Sequence, residues 1–192
     1  QLILDSATNF SADLVAVGVR GRSRLSKAVL GSVSHRVLLH GSRPTLIVRG
    51  AARKVQRILV AIEERNDADR IVKWLTEHPL ADPVELRVVH AIIPIGVNDT
   101  YDALGISTWW EGAERYAEEL VKSTAGKLLN PRYTVSTNVS QGNPAAVIEQ
   151  EAKDMDLVVV TSHGRKGISR FLLGSVSHAV VHHVTCPVLV LR

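Results

Sequence analysis

The chain predicts an α/β fold: a five-stranded parallel sheet, doubly wound with helices on both faces, plus part of a second copy of the same unit. Three observations carry this. Apolar runs of strand length alternate with helix-period segments through residues 55–192, the order that βαβ crossovers produce. The runs Leu157–Val160 and Val188–Leu191 are apolar without alternation, as a strand covered on both faces can be. The third observation is a repeat. Asp13-Leu14-Val15-Ala16-Val17-Gly18-Val19-Arg20-Gly21 leads through Gly31-Ser32-Val33-Ser34-His35 to Arg43-Pro44-Thr45-Leu46-Ile47-Val48-Arg49. Asp156-Leu157-Val158-Val159-Val160-Thr161-Ser162-His163-Gly164 leads through Gly174-Ser175-Val176-Ser177-His178 to Cys186-Pro187-Val188-Leu189-Val190-Leu191-Arg192. The copies align without a gap and agree at roughly half their positions.

In chain order, residues 1–50 predict the end of a helix, a strand, a helix and a last strand, and residues 51–54 a polar link. Two strands and one full helix cannot close a core of their own, so this part must lean on other structure. The chain starts at Gln1, inside the first copy, and is expected to be a piece of a longer protein. Val55–Ile62 predicts a buried strand. Asp67–His78 predicts a helix with Ile71, Val72 and Leu75 on one side and Pro79 after it. Val84–Ala91 predicts the next strand, and 92–108 a long loop. From Trp109 to Leu129 the positions Trp110, Ala113, Ala117, Leu120, Val121 and Leu128 share a helical face. Tyr133–Val139 alternates as a strand. Asn143-Pro144 supplies an N-cap and a first-turn proline for a helix lined by Ile148, Ala152 and Met155.

Composition narrows the function. Hydrophobic residues make up 45% and charged residues 22%, ordinary values for a packed globular chain. Lone Cys186 cannot form an internal disulfide, which fits a reducing, cytoplasmic setting. No apolar run approaches the ~20 residues of a membrane helix. The net charge of +4 invites a nucleic-acid partner, but the basic residues gather in the two glycine loops (Arg20, Arg22, Arg24 and Lys27; Arg165, Lys166 and Arg170). A small anion accounts for that grouping better. With 4% aromatic residues there is also little surface on which bases could stack.

The repeated loop is the place to look for a site. In open α/β sheets ligands bind beyond the carboxyl ends of strands. Gly164 follows the strand ending near Ser162, and a residue without Cβ lets a phosphate approach the main chain. Gly174 and Ser175 open the next helix, with Ser175 expected as N-cap. The amides of Val176 and Ser177 then point outward without intrahelical partners, a natural anion site. Arg165, Lys166 and Arg170 can balance the added charge. A turn glycine and an ordinary cap would be written the same way; recurrence at Gly21, Gly31, Ser32 and Ser34 favours the ligand.

The pattern Gly18-x2-Gly21-x9-Gly31-Ser32, the strand openings Ile58–Ile62 and Arg87–Ala91, and the ending Cys186-Pro187-Val188-Leu189-Val190 resemble the universal stress protein family over essentially the whole chain. The resemblance implies a tandem member, with 55–192 as one unit and 1–50 as the last part of the unit before it. It implies a Rossmann-like sheet of the adenine nucleotide alpha hydrolase-like kind, pairing through last strands (as a homodimer or an intrachain pseudo-dimer), and ATP as ligand, with any Mg²⁺ carried on the phosphates. Carried over by position, phosphates fall at Gly164, Gly174, Ser175 and Ser177, beside Ser162, Arg165 and Val176; adenine and ribose fall near Ala61, Glu63 and Ala91. The phosphate loop of the partial copy is Gly18, Gly21, Gly31, Ser32 and Ser34. Lacking its adenine half, that copy is expected to bind poorly.

Two residues depart from the family pattern. Thr161 stands where the first copy has Gly18; if positive φ were needed there, a β-branched residue would cost on the order of 1–3 kcal/mol. Glu63 replaces the usual Asp, so a ribose hydrogen bond would come from a shifted position. The leading expectation is an ATP-binding stress-response regulator that orders 165–173 on binding nucleotide. The alternative is an interaction module of the same fold that has lost ATP.

Other chemistry is poorly supported. No P-loop lysine, nucleophile elbow or zinc-protease helix is present, and without an evident general base any hydrolysis should be slow. His178 and His182 share a helical face, but the equivalent of His182 in the first copy is Leu39, so no protein metal site is expected. Trp109 and Trp110 read as core and rim of their helix.

Overall fold

The computed structural model describes residues 2–19, 30–51, 53–94, 106–162 and 173–192. In chain order the elements are α1 (Leu2–Asn9), β1 (Val15–Gly18), α2 (Ser32–His40), β2 (Thr45–Val48), β3 (Arg57–Ala61), α3 (Arg65–Glu77), β4 (Val84–Ile92), α4 (Ile106–Leu128), β5 (Tyr133–Gln141), α5 (Pro144–Glu151), a 3₁₀ turn (Ala152–Asp154), β6 (Leu157–Thr161), α6 (Ser175–His183) and β7 (Val188–Leu191). The strands form one sheet of order β1-β2-β7-β6-β3-β4-β5. Every neighbouring pair is parallel except β2 with β7. Strands from 55–192 thus make a parallel block of five, and residues 1–50 extend it by two.

Strand periodicity explains why both faces are covered. Leu59, Val158, Val160, Val188 and Val190 face the layer that holds Leu38, Ile148, Val180 and Val181. Their neighbours Ile58, Val60, Val159, Leu189 and Leu191 face the opposite layer, with Ile71, Leu75, Leu120 and Val121. Successive strand side chains point to opposite faces, so an unbroken apolar run is what two helical layers demand. All four residues of β7 are buried.

The junction of the two copies has approximate twofold symmetry. Thr45, Leu46 and Ile47 pair antiparallel with Val190, Leu189 and Val188, the contact expected between the two last strands. It is made within the chain, and β7 has β6 and β2 on its two edges. Arg49, just after β2, donates to the Val181 carbonyl of α6. Its repeat equivalent Arg192, just after β7, donates to the Leu38 carbonyl of α2. Residue i of one copy touching residue j of the other, and the reverse, is the mark of an isologous contact.

Several element ends differ from expectation for local reasons. α3 starts two residues early because Glu64 and Asp67 form a capping box. β4 runs on to Ile92, paired with Gln141, and α4 starts at Ile106, which shortens the expected 92–108 loop from both ends. Ala152 and Met155 are buried as expected but lie beyond the end of α5. Asn143 caps α5 as predicted, accepting from the amides of Ala145 and Ala146 at 3.0 and 3.3 Å. After the polar link, Asp156 accepts from the amides of Gln56 and Arg57, both at 2.9 Å. Burial alone would raise this carboxyl; the two amides with Arg53 and Arg57 hold it below the usual carboxylate range.

Candidate functional site

The chain runs β3 to β4 to β5 in one direction, then returns across to β6 on the other side of β3. Between β3 and β6 the connections diverge, and that switch point opens a crevice at the carboxyl ends. Here it is a cleft of about 830 Å³. Ala61 to Glu64 after β3 and Val89 to Ile92 of β4 form one wall, while Thr161, Ser162 and the α6 start from Gly174 to Ser177 form the other. Trp109, Ala113 and Tyr116 of α4 and Pro144 and Ile148 of α5 complete it.

Of the residues expected around a nucleotide, Ala61, Glu63, Ala91, Ser162, Gly174, Ser175, Val176 and Ser177 all line this cleft. Gly164 and Arg165 lie outside the described residues, as do Gly21 and the rest of 165–172. In the partial copy, Gly18 ends β1 and Gly31 caps α2 with φ −65° and ψ 154°. Ser32 is the first residue of α2. Gly174 caps α6 with nearly the same angles, φ −61° and ψ 151°. The cap of α6 is therefore Gly174, and Ser175 is the first helical residue.

Gly174 is required by space. Its amide donates to the Ser162 carbonyl at 2.7 Å, and a Cβ on it would sit 3.0 Å from that same oxygen. This contact presses the start of α6 against the end of β6, leaving the amides of Ser175, Val176 and Ser177 without intrahelical acceptors. The helix N-terminus is electropositive as well.

The second serine of each repeat has a different part from the one expected. Ser177 Oγ donates to the Thr161 carbonyl at 2.8 Å, and Ser34 Oγ donates to the Gly18 carbonyl at 2.7 Å. Each hydroxyl clasps the first turn of a helix to the end of the preceding strand. Its proton is committed to the fold, so the donor Ser177 has left for a ligand is its amide.

Thr161 also reads differently in three dimensions. It lies in extended β6, and among the described residues the one non-glycine with positive φ is Ser11. A Cβ at Gly18 would likewise meet nothing within 4 Å. The strain anticipated for Thr161 does not arise. Its Oγ1 instead donates to Asp67 Oδ1 at 2.7 Å, in a buried contact joining β6 to α3. Burial pushes the Asp67 carboxyl up, with Thr161 and the amides of Glu64 and Glu63 partly offsetting this.

Thr161→Val keeps the shape and removes that donor, so a loss of about 1–3 kcal/mol is expected for a buried acceptor left unsatisfied. The pH dependence has a definite sign. A carboxyl raised on folding binds its proton more tightly in the native state, so its ionised form weakens folding as pH rises through the folded value. The variant raises Asp67 further. Its deficit against wild type should be small near pH 4 and grow toward pH 7, as urea melts at the two pH values would reveal; a deficit independent of pH would contradict this.

Sequence periodicity missed four residues of the cleft. Asp67 is hidden in the helix-capping pattern. His90 is half-buried near the end of β4, where its Nδ1–H donates to the Ile62 carbonyl at 3.0 Å, and desolvation lowers its pKa. Tyr116 meets the His90 ring edge to face at 6.4 Å. Trp109 is 46% exposed at the mouth of the cleft, and Trp110 bonds Glu114 through Nε1 at 2.8 Å; neither is core. The packing of α4 on the sheet brings Trp109 and Tyr116 to the cleft, and the meeting of α3 with β6 brings Asp67.

A doubly wound sheet with a cleft at its switch point, lined by apolar residues and a helix N-terminus, defines an open α/β protein with a candidate ligand site. The sequence profile of the universal stress protein family matches residues 1–49 and 54–192, and the chain belongs to that family. A universal stress protein of Mycolicibacterium smegmatis is 33% identical over 188 residues, covering 95% of this chain and 62% of the relative. The chain thus spans less than two thirds of that relative. A Pseudomonas aeruginosa protein of unknown function has the same fold over 99% of this chain and 66% of its own, with TM-score 0.71 at 19% identity. An Arabidopsis thaliana universal stress family protein, solved with AMP bound, covers 71% of this chain and 90% of its own, with TM-score 0.51 at 19% identity.

Proposed function

We propose that the cleft binds an adenine nucleotide, with ATP as the physiological ligand, and that the protein is a stress-response regulator whose conformation or association follows nucleotide occupancy. The observation that carries this is the division of the cleft. One end is lined by small and apolar residues at the ends of β3 and β4 (Ala61, Val89 and Ala91), and the other by the free first-turn amides of α6. Adenine suits the first end and phosphates the second. Glu63 also lines the cleft, and in this reading it accepts from a ribose hydroxyl. The AMP-bound relative supports the same class of ligand.

Magnitudes require both ends. A helix N-terminus contributes roughly 0.3–2 kcal/mol toward an anion, whereas micromolar binding needs about 8. Burial of the base against the apolar wall, at about 25 cal/mol per Å², supplies the larger share. Gly174 lets the first turn of α6 close on the end of β6, since a Cβ there would sit 3.0 Å from the Ser162 carbonyl oxygen. Mg²⁺ would be held by the phosphates and their waters rather than by a protein cage. A cytoplasmic setting is part of this proposal, and the free, buried Cys186 is compatible with it. Among the described residues no helix is long and apolar enough to cross a membrane.

Isothermal titration of the whole chain with Mg-ATP is the test. A saturable heat at micromolar to sub-millimolar concentration is expected, with ADP and AMP competing. Absence of heat up to millimolar nucleotide would overturn the proposal in favour of an interaction module without a ligand.

A further inference from the structure

The twofold junction brings together three histidines that are far apart in sequence. His35 lies on α2, and His178 and His182 lie one turn apart on α6. One ring nitrogen of each falls within 4.8 Å of the other two. The His178 and His182 centroids are 4.4 Å apart, and His35 stands 5.9 and 6.2 Å from them. His35 and His178 are repeat equivalents meeting across the pseudo-axis, so the symmetry itself places two imidazoles face to edge. His182 departs from the symmetry: its equivalent is Leu39. The expectation of no metal site compared ligands within a single copy and could not see a set shared between two.

We propose that His35, His178 and His182 form a transition-metal site, suited to Zn²⁺, that staples the two copies together. Two histidines at i and i+4 on a helix with a third from another element make a three-nitrogen set, which leaves a fourth tetrahedral position for water. His178 is exposed, while His35 and His182 are half-buried, so that position faces solvent. His182 Nε2 is itself buried and, among the described residues, has no hydrogen-bond partner; a polar atom in that state calls for one. Zn–N bonds of about 2.0–2.1 Å in a tetrahedron put nitrogens about 3.4 Å apart. Side-chain rotation of about an ångström closes the difference. Imidazole donors favour zinc, copper or nickel over magnesium or calcium.

The surroundings set limits on affinity. Arg49, bonded to the Val181 carbonyl, adds positive charge near His182 and opposes a cation. His183 points elsewhere, with Nδ1 3.6 Å from Glu149. The site is separate from the cleft and does not depend on nucleotide binding.

The test titrates zinc chloride into the metal-stripped whole chain and follows both heat and melting temperature. One zinc per chain and a rise in melting temperature are expected. His182→Leu, which copies the residue of the other repeat and should pack without strain, is expected to weaken zinc at least tenfold. His35→Gln should do the same from the opposite copy, while His183→Gln should bind as wild type. Cobalt substitution should give the visible bands of a four-coordinate site that vanish in His182→Leu. Undiminished zinc binding in both His182→Leu and His35→Gln, or no binding by wild type at micromolar zinc, would overturn the proposal.

Discussion

Gly174→Val raises the dissociation constant for Mg-ATP at least a hundredfold while the sheet stays folded. The dihedral angles at Gly174 suit any residue, so the effect is one of space. The new Cβ sits 3.0 Å from the Ser162 carbonyl oxygen and 3.5 Å from Ser177 Oγ, and the two further methyl groups add bulk at that same junction. Both contacts belong to the clasp that presses α6 onto β6. Relief requires the first turn of α6 to retreat, which removes the amides of Ser175, Val176 and Ser177 from the phosphates. A hundredfold change is about 2.7 kcal/mol, within reach of losing several charge-assisted hydrogen bonds worth roughly 1.5–3 kcal/mol each. Gly174→Ala brings only the Cβ and should fall between. Titration calorimetry of the three proteins, with circular dichroism as a check on folding, decides the matter; equal affinities would remove α6 from the phosphate site.

Ile47→Asp detaches residues 2–51 from the rest of the sheet. Ile47 is fully buried in the middle of β2, opposite Val188 in the antiparallel seam and within the layer that holds Leu38, Val188 and Val190. An unpaired carboxylate there carries a desolvation penalty of several kcal/mol, a large part of the stability of a domain this size. The neighbouring Val48→Asp places the same charge on a residue 39% exposed and should change stability by about 0.5 kcal/mol or less. Limited proteolysis separates the outcomes: rapid cleavage within the first fifty residues of Ile47→Asp only, with Val48→Asp resisting like wild type. Matching digestion of the two variants would show that the seam does not hold the copies together.

Much of this was written in the chain. The unbroken apolar runs at Leu157 and Val188 announced strands covered on both faces, because alternation disappears when no face meets water. The repeat announced equivalent helix starts, and Gly31 and Gly174 occupy nearly superposable cap conformations. Asn143-Pro144 announced its helix through chemistry that acts within three residues. The meeting of the last strands was implied by the family resemblance, and its antiparallel register is seen in the pairing of Thr45–Ile47 with Val188–Val190.

What folding alone decided concerns contacts between residues distant in sequence. The hydroxyls of Ser34 and Ser177 became clasps because the strand-end carbonyls of Gly18 and Thr161 lie within reach. Thr161 found Asp67, His90 found Ile62, and the three histidines met because the pseudo-axis passes between α2 and α6. Local patterning and covalent geometry act over a few residues and so determine strands, helices, caps and their order. Hydrogen bonds, ligand sets and cleft walls depend on distances in space, which the chain acquires only when helices pack on strands within each copy and, for the histidines, when the two copies meet.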